Sequence, residues 1–308
     1  MSYVQPPDFT RAMIDAGAKK VHMSTRDTLI RGFMAGAILA LAAAFAVTVT
    51  VQTGSALLGA VLFPVGFILL YLLGFDLLTG VFTLVPLALL DKRRGVTVGG
   101  MLRNWGLVFV GNFAGALTVA FLIAFITTFG FNVEPDEVGQ RLGEIGESRT
   151  LGYKEYGAAG MLSLFFRGVL CNWMVSTGVV AAMMSTSVSG KALTMWMPVM
   201  LFFYMGFEHS VVNMFLFPTG LMLGGDFSLG DYLVWNEIPT VVGNLVGGLL
   251  FVGLTLYVTH ARTKERRTSA SASGAAATTG PAAAEPVAST DRSATTGPAA
   301  VRDEPAAV

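Results

Sequence analysis

The acids and bases of this 308-residue chain are kept out of long windows. Between Arg31 and Asp91 the only one, tyrosine aside, is Asp76. Between Arg103 and Glu134 there is none, and between Glu155 and Lys191 only Arg167. From Ala192 to Gly225 there are Glu208 and His209, and from Ile238 to Thr259 again none. A helix that crosses a bilayer needs about 20 mostly apolar residues, and a charge at its centre costs about 3 kcal/mol. The windows place spans near 31–51, 57–90, 103–130, 160–185, 192–222 and 237–260, with the second and fifth broken. Soluble domains average roughly 25% charged residues. The 13% found here excludes a soluble protein and predicts an all-α integral membrane protein of six transmembrane helices.

The links between spans set the orientation. Arg11, Lys19, Lys20, Arg26 and Arg31 precede the first span, and Lys92, Arg93, Arg94 and Arg103 surround the link after the second. Lys191 follows the fourth, and Arg262, Lys264, Arg266 and Arg267 follow the sixth. The alternate links are uncharged or acidic. By the positive-inside rule both termini are cytoplasmic, in a multi-pass protein of the plasma (inner) membrane. Residues 1–26 read as a cytoplasmic segment with a short amphipathic helix, Phe9, Ala12, Met13 and Ala16 falling at helical spacing. Residues 27–262 form the membrane domain. Residues 263–308, rich in Ala, Ser, Thr and Pro, lack the large apolar side chains a core needs and read as a disordered cytoplasmic tail. Zero formal charge argues against nucleic acid as a partner, and the lone Cys171 precludes an internal disulfide framework.

The membrane domain repeats internally. Gly74-Phe75-Asp76 is followed by Pro86, and Gly206-Phe207-Glu208 by Pro218, at an offset of 132 residues. The same offset carries Val110-Gly111-Asn112 onto Val242-Gly243-Asn244, while Arg31-Gly32 maps onto Arg167-Gly168 at 136. Each unit, about 27–130 and about 157–260, holds three spans. An odd number forces the second copy to enter from the opposite side, giving an inverted 3+3 repeat. In each copy the middle span holds a carboxylate after Gly-Phe. Such a group survives at membrane depth only where it faces protein or a water-lined path, and irregular backbone is tolerated in the same places. Breaks are therefore expected at 75–80 and 207–212, with Asp76 and Glu208 bonding the exposed backbone N–H groups. Asn213 is assigned to the same break-stabilising role.

Of three histidines only His209 lies deep in a span. A buried histidine is as often a satisfied structural donor as a functional group. Here it adjoins a break, and its repeat mate, Leu77, is apolar. Phe202 precedes it by seven residues on the same helical face, and Phe63 and Phe67 share a face of the second span. Taken alone, aromatic residues at that spacing read as packing.

At these residues the chain resembles the formate/nitrite transporter family. The likeness is carried by Phe75-Asp76-Leu77-Leu78-Thr79-Gly80, by Arg167-Gly168-Val169-Leu170-Cys171-Asn172-Trp173, and by Gly206-Phe207-Glu208-His209-Ser210-Val211-Val212-Asn213-Met214-Phe215, and it covers about 8–262. The resemblance implies an aquaporin-like subunit fold, a homopentamer, and one path per subunit for small monovalent anions of weak acids such as formate, nitrite or hydrosulfide. It implies that His209, Thr79 and Asn172 face this path, and that Phe63, Phe67, Leu77, Leu78 and Phe202 form its apolar constrictions. Relatives carry a vestibule lysine where this chain has Tyr156, and Lys154 is the substitute two residues away.

An anion alone in hydrocarbon meets a prohibitive desolvation cost, and a weak acid escapes it by crossing with, or via, a proton at His209. The substrates are thus small inorganic or one-carbon anions together with protons. No cofactor, metal or enzymatic chemistry is implied. A rival reading, an aquaporin-like channel for neutral solutes, predicts paired Asn-Pro-Ala breaks and a filter arginine, and the paired motif is absent. A membrane enzyme built on Asp76, Glu208 and His209 would need a nucleophile or a second metal ligand that the pattern does not supply. Arg167, at the start of a span, reads as a headgroup anchor.

Overall fold

The computed structural model describes residues 3–261, and the expected tail, 263–308, lies outside them. Among the described residues the chain is helical apart from turns and one isolated bridge, Tyr3 to Ser185. The helices are α1 (Pro6–His22), α2 (Thr25–Thr53), α3 (Ala56–Leu62), α4 (Val65–Leu72), α5 (Leu78–Leu90) and α6 (Val98–Thr127). There follow α7 (Glu137–Ser148), α8 (Leu151–Lys154), α9 (Gly157–Met183), α10 (Val188–Tyr204), α11 (Ser210–Met222) and α12 (Leu229–Ala261), the last with π-helical turns at Leu233–Glu237, Gly247–Leu254 and Tyr257–Ala261. Four of them, α2, α6, α9 and α12, are long and apolar enough to cross a membrane.

The boundaries follow local chemistry. Ser24, Thr97, Asp136, Ser187 and Ser228 each accept a backbone N–H with the side chain at a helix start, satisfying amides that have no partner one turn back. Gly74 at φ +74° and Gly206 at φ +64° turn the chain out of α4 and α10. Non-helical residues 75–77 and 207–209 then lead into α5 and α11.

The helix at the N-terminus places Phe9 and Met13 of the expected face inside and Ala12 outside. Its buried face is Phe9, Met13, Ile14 and Gly17, while Ala12 is exposed. Phe9, Met13 and Ile14 pack with Leu84 and Leu87 of α5 and Val252 of α12, so this face of α1 is buried against protein. Burying each of those side chains is worth about 1.5–3 kcal/mol.

The long helices meet through glycine. A Cβ on Gly111 of α6 would stand 3.0 Å from the Cα of Gly32 in α2, and one on Gly243 of α12 would stand 3.1 Å from the Cα of Gly168 in α9. Without side chains at these positions the backbones approach closely enough for dispersion and polar contacts to replace the hydrophobic drive that lipid removes.

Candidate functional site

The two non-helical stretches are held by asparagines. Asn112 Oδ1 accepts the Leu78 N–H at 2.9 Å, while its Nδ2 donates to the carbonyls of Gly32 (2.8 Å) and Asp76 (2.9 Å). Asn244 Oδ1 accepts the Ser210 N–H at 3.0 Å, and its Nδ2 donates to Gly168 (2.8 Å) and Glu208 (2.9 Å). The carboxylates themselves take no backbone N–H of α5 or α11, contrary to the role expected of Asp76 and Glu208. A carboxamide carries both a donor and an acceptor, so it can serve an amide and two carbonyls at once, which a carboxylate cannot.

Asp76 and Glu208 instead hold side chains. Asp76 pairs with Lys20 of α1. Glu208 accepts from Tyr153 Oη (3.0 Å), Asn213 Nδ2 (3.0 Å) and Asn236 Nδ2 (3.3 Å), with Arg149 Nη1 at 3.6 Å. Each cation's own carbonyl is fastened by a further asparagine: Lys20 by Asn104 at 3.1 Å, Arg149 by Asn236 at 2.9 Å. Asn213 therefore supports the Glu208 carboxylate rather than the backbone of the break. Burial and the adjacent Glu208 charge push the Tyr153 hydroxyl well above its ordinary pKa, so it stays a donor.

His209 closes the first turn of α11. Its Nδ1 accepts the Val212 N–H at 3.3 Å, and Nε2 stands 3.2 Å from Thr79 Oγ1. A neutral ring with Nδ1 as acceptor carries its proton on Nε2, facing Thr79. Thr79 and His209 are both fully buried, and come from α5 and from the residue before α11. Phe67 meets the imidazole edge-on at 5.4 Å between centroids, and Phe202 stacks on it at 5.7 Å. Phe63 lies 5.9 Å from Phe67 and 5.8 Å from Phe202, with Phe203 stacked on its other side at 3.8 Å.

Each non-helical stretch borders a cavity. One, of about 200 Å³, is lined by Lys20, Phe67, Asp76, Leu77 and Thr79 and is otherwise almost wholly apolar. The other, of about 580 Å³, is lined by Arg149, Tyr153, Tyr156, Arg167, Gly206 and Glu208. Thr79 borders the first, Glu208 the second, and His209 is bonded to one and adjacent in sequence to the other.

Leu77 borders the smaller cavity, and Leu78 is buried beside it with its amide on Asn112. Asn172 lines neither cavity: its Nδ2 donates to the carbonyls of Thr79 (3.2 Å) and Asn244 (2.7 Å), and its Oδ1 accepts from Ser176. Lys154 is turned aside onto Asp231 at 2.8 Å. Arg167, expected at a headgroup, turns inward and donates to the Gly206 carbonyl at 2.9 Å. Sequence reasoning passed over Lys20, Arg149, Tyr153 and Asn236, which lie outside the motifs. Asn112 and Asn244 appeared there as repeat markers, and the cue to their role was an uncharged amide at the same place in two apolar spans.

The family model described as formate/nitrite transporter matches residues 7–258. The chain belongs to the formate/nitrite transporter family. A transporter of Bacillus subtilis (strain 168), YrhG, of uncharacterised activity, is 34% identical over 87% of this chain and 98% of its own. A probable formate transporter of Methanothermobacter thermautotrophicus is 33% identical over 84% and 98%. Among solved structures, a pentameric formate channel with formate bound superposes with a TM-score of 0.63 at 24% identity, covering 76% of this chain and 96% of that one, which establishes a shared fold. Membership in the formate/nitrite transporter family makes the chain a multi-pass membrane transport protein and not an enzyme.

Proposed function

We propose that this protein conducts small monovalent anions of weak acids, formate foremost, through a path that runs from the larger cavity past His209 to the smaller one. The observation that carries the reading is the Thr79–His209 contact, a polar pair among phenyl rings, with one cavity at Thr79 and another at Glu208, the residue before His209. Formate relatives among the curated proteins and the formate-bound neighbour support the substrate.

In this reading α2, α3 to α5, α6, α9, α10 to α11 and α12 are six spans in an inverted 3+3 arrangement. The residues at 73–77 and 205–209 are breaks in the second and fifth. Both termini are cytoplasmic, so Lys20 and Asp76 guard the inner mouth and Arg149 and Glu208 the outer. Helix α1 then covers the inner face, and five subunits assemble as in the pentameric neighbour.

The chemistry follows from the ring's bonding. Neutral His209 offers its Nε2–H to an anion in exchange for Thr79, replacing part of the lost hydration. It does not surrender that proton, because doing so would require prior protonation at Nδ1, where Val212 already donates. The proton joins the anion from vestibule water. The neutral acid then crosses the Phe63, Phe67 and Phe202 cluster without the cost of burying a charge. The net process is anion–proton symport.

The test is formate uptake into proteoliposomes at about pH 5 and about pH 7.5. The native protein takes up formate faster at the lower pH, and His209→Phe, which removes the donor, abolishes the proton-coupled component. Uptake that persists unchanged in His209→Phe means the ring serves packing alone and sinks the mechanism.

A further inference from the structure

Resting on the transport reading, we propose that the larger cavity selects planar oxyanions over spherical ones through the guanidinium of Arg149, with Arg167 lining the same cavity. The two oxygens of the Glu208 carboxylate face different donors, Oε1 the Tyr153 hydroxyl at 3.0 Å and Oε2 the Arg149 Nη1 at 3.6 Å. The Tyr153 hydroxyl is thus committed to Glu208, while the Arg149 guanidinium is held there by charge alone.

The bland alternative is that both arginines are fasteners. Arg167 does fasten: one N–H caps the Gly206 carbonyl as the chain leaves α10. That contact occupies one of its five donors. Arg149 makes no hydrogen bond to Glu208, since 3.6 Å exceeds hydrogen-bond range. Its side chain is 26% exposed and borders a 580 Å³ space, so its N–H groups are open to a second partner. Glu208 keeps Tyr153, Asn213 and Asn236 when Arg149 turns to that partner, and its burial is not left uncompensated.

Geometry decides what the partner is. Two guanidiniums and one carboxylate leave the wall with a surplus positive charge that draws any anion. A planar fork of N–H donors, however, matches two coplanar oxygens and gains little from a sphere, which an ammonium would serve as well. Formate and nitrite present two such oxygens. Chloride and hydrosulfide do not.

The experiment is competition against isotopically labelled formate uptake in proteoliposomes, with nitrite as the planar competitor and chloride and hydrosulfide as the spherical ones. The native protein is expected to favour nitrite over both by about tenfold or more. Arg149→Lys, which keeps the charge and discards the fork, is expected to shrink that preference by about fivefold to tenfold. Arg167→Lys is expected to shrink it less, one donor being held by Gly206. Gel filtration of each variant shows whether it assembles, and either one that does supplies the answer. Formate uptake with a preference unchanged in the lysine variants overturns this inference alone. Absence of formate uptake by the native protein overturns the transport reading and this one with it.

Discussion

Asn112 and Asn244, 132 positions apart, make the same three hydrogen bonds to the same three kinds of backbone group. Each accepts the first amide of a short helix and donates to the carbonyl two residues earlier and to a glycine carbonyl of a neighbouring long helix. Backbone polar groups at the end of an interrupted helix cannot be left bare in hydrocarbon. One carboxamide per half serves an amide and two carbonyls, and the two halves do so identically.

It follows that Asn112→Ala and Asn244→Ala should each destabilise the protein by about 2–4 kcal/mol, because each leaves several buried backbone groups unpaired. Asn112→Asp should not rescue, as it keeps the acceptor but loses both donors. Thermal unfolding in detergent checks this. A midpoint within about a degree or two of the native one for either alanine variant would contradict the assignment.

These two asparagines also mark where sequence reasoning stops. Charge-free windows, the repeat and the Glu208-His209 and Asp76 positions were all legible, because lipid imposes a length and a polarity that composition cannot disguise. What held the non-helical stretches was not legible. An acid deep in a span attracts the eye more than an amide does, yet Asp76 and Glu208 turned out to hold Lys20 and Tyr153. Those partners come from α1 and α8, outside any motif, and only the folded chain brings them in. For the same reason Lys154 looked like a vestibule cation, when a carboxylate 77 residues later, Asp231, draws it aside and Arg149 faces the cavity.

Thr79→Val should lower formate uptake by about tenfold while the protein still assembles. Valine keeps the branched shape but removes the oxygen 3.2 Å from His209 Nε2, so the ring loses the partner that fixes the direction of the N–H the anion must meet. Thr79→Ser, which keeps the oxygen, should retain most of the rate. Equal losses in both variants would point to packing rather than to the hydroxyl.

Gly243→Val should prevent assembly or lower the unfolding midpoint strongly. A Cβ there would lie 2.5 Å from the Phe165 carbonyl and 3.1 Å from the Gly168 Cα, both rigid backbone atoms. The α9–α12 pair would have to part, and with it the bonds of Asn244 to Gly168 and Glu208. Gly106→Val, at a position where an added Cβ meets nothing within 4 Å, is the control and should be tolerated. Similar yields of the two variants would show that close helix approach is dispensable.

Phe202→Ala tests the seal itself. The Phe202 ring is fully buried, stacks on His209 and meets Phe63 and Phe67 each at 5.8 Å, so its loss removes one wall of the aromatic cluster. Truncating a buried phenylalanine typically costs about 3–5 kcal/mol, and the vacated space adjoins a polar ring, so water can enter it. Once water reaches His209 the anion no longer has to be neutral to pass, and uptake should become less dependent on pH. Larger monocarboxylates such as acetate should be admitted along with formate. Phe202→Leu, which refills most of the volume, should stay close to the native selectivity. Uptake measured over a range of pH with both acids decides the matter: if the alanine variant folds and still shows the native steepness with pH, the phenyl cluster is not the barrier that demands a proton.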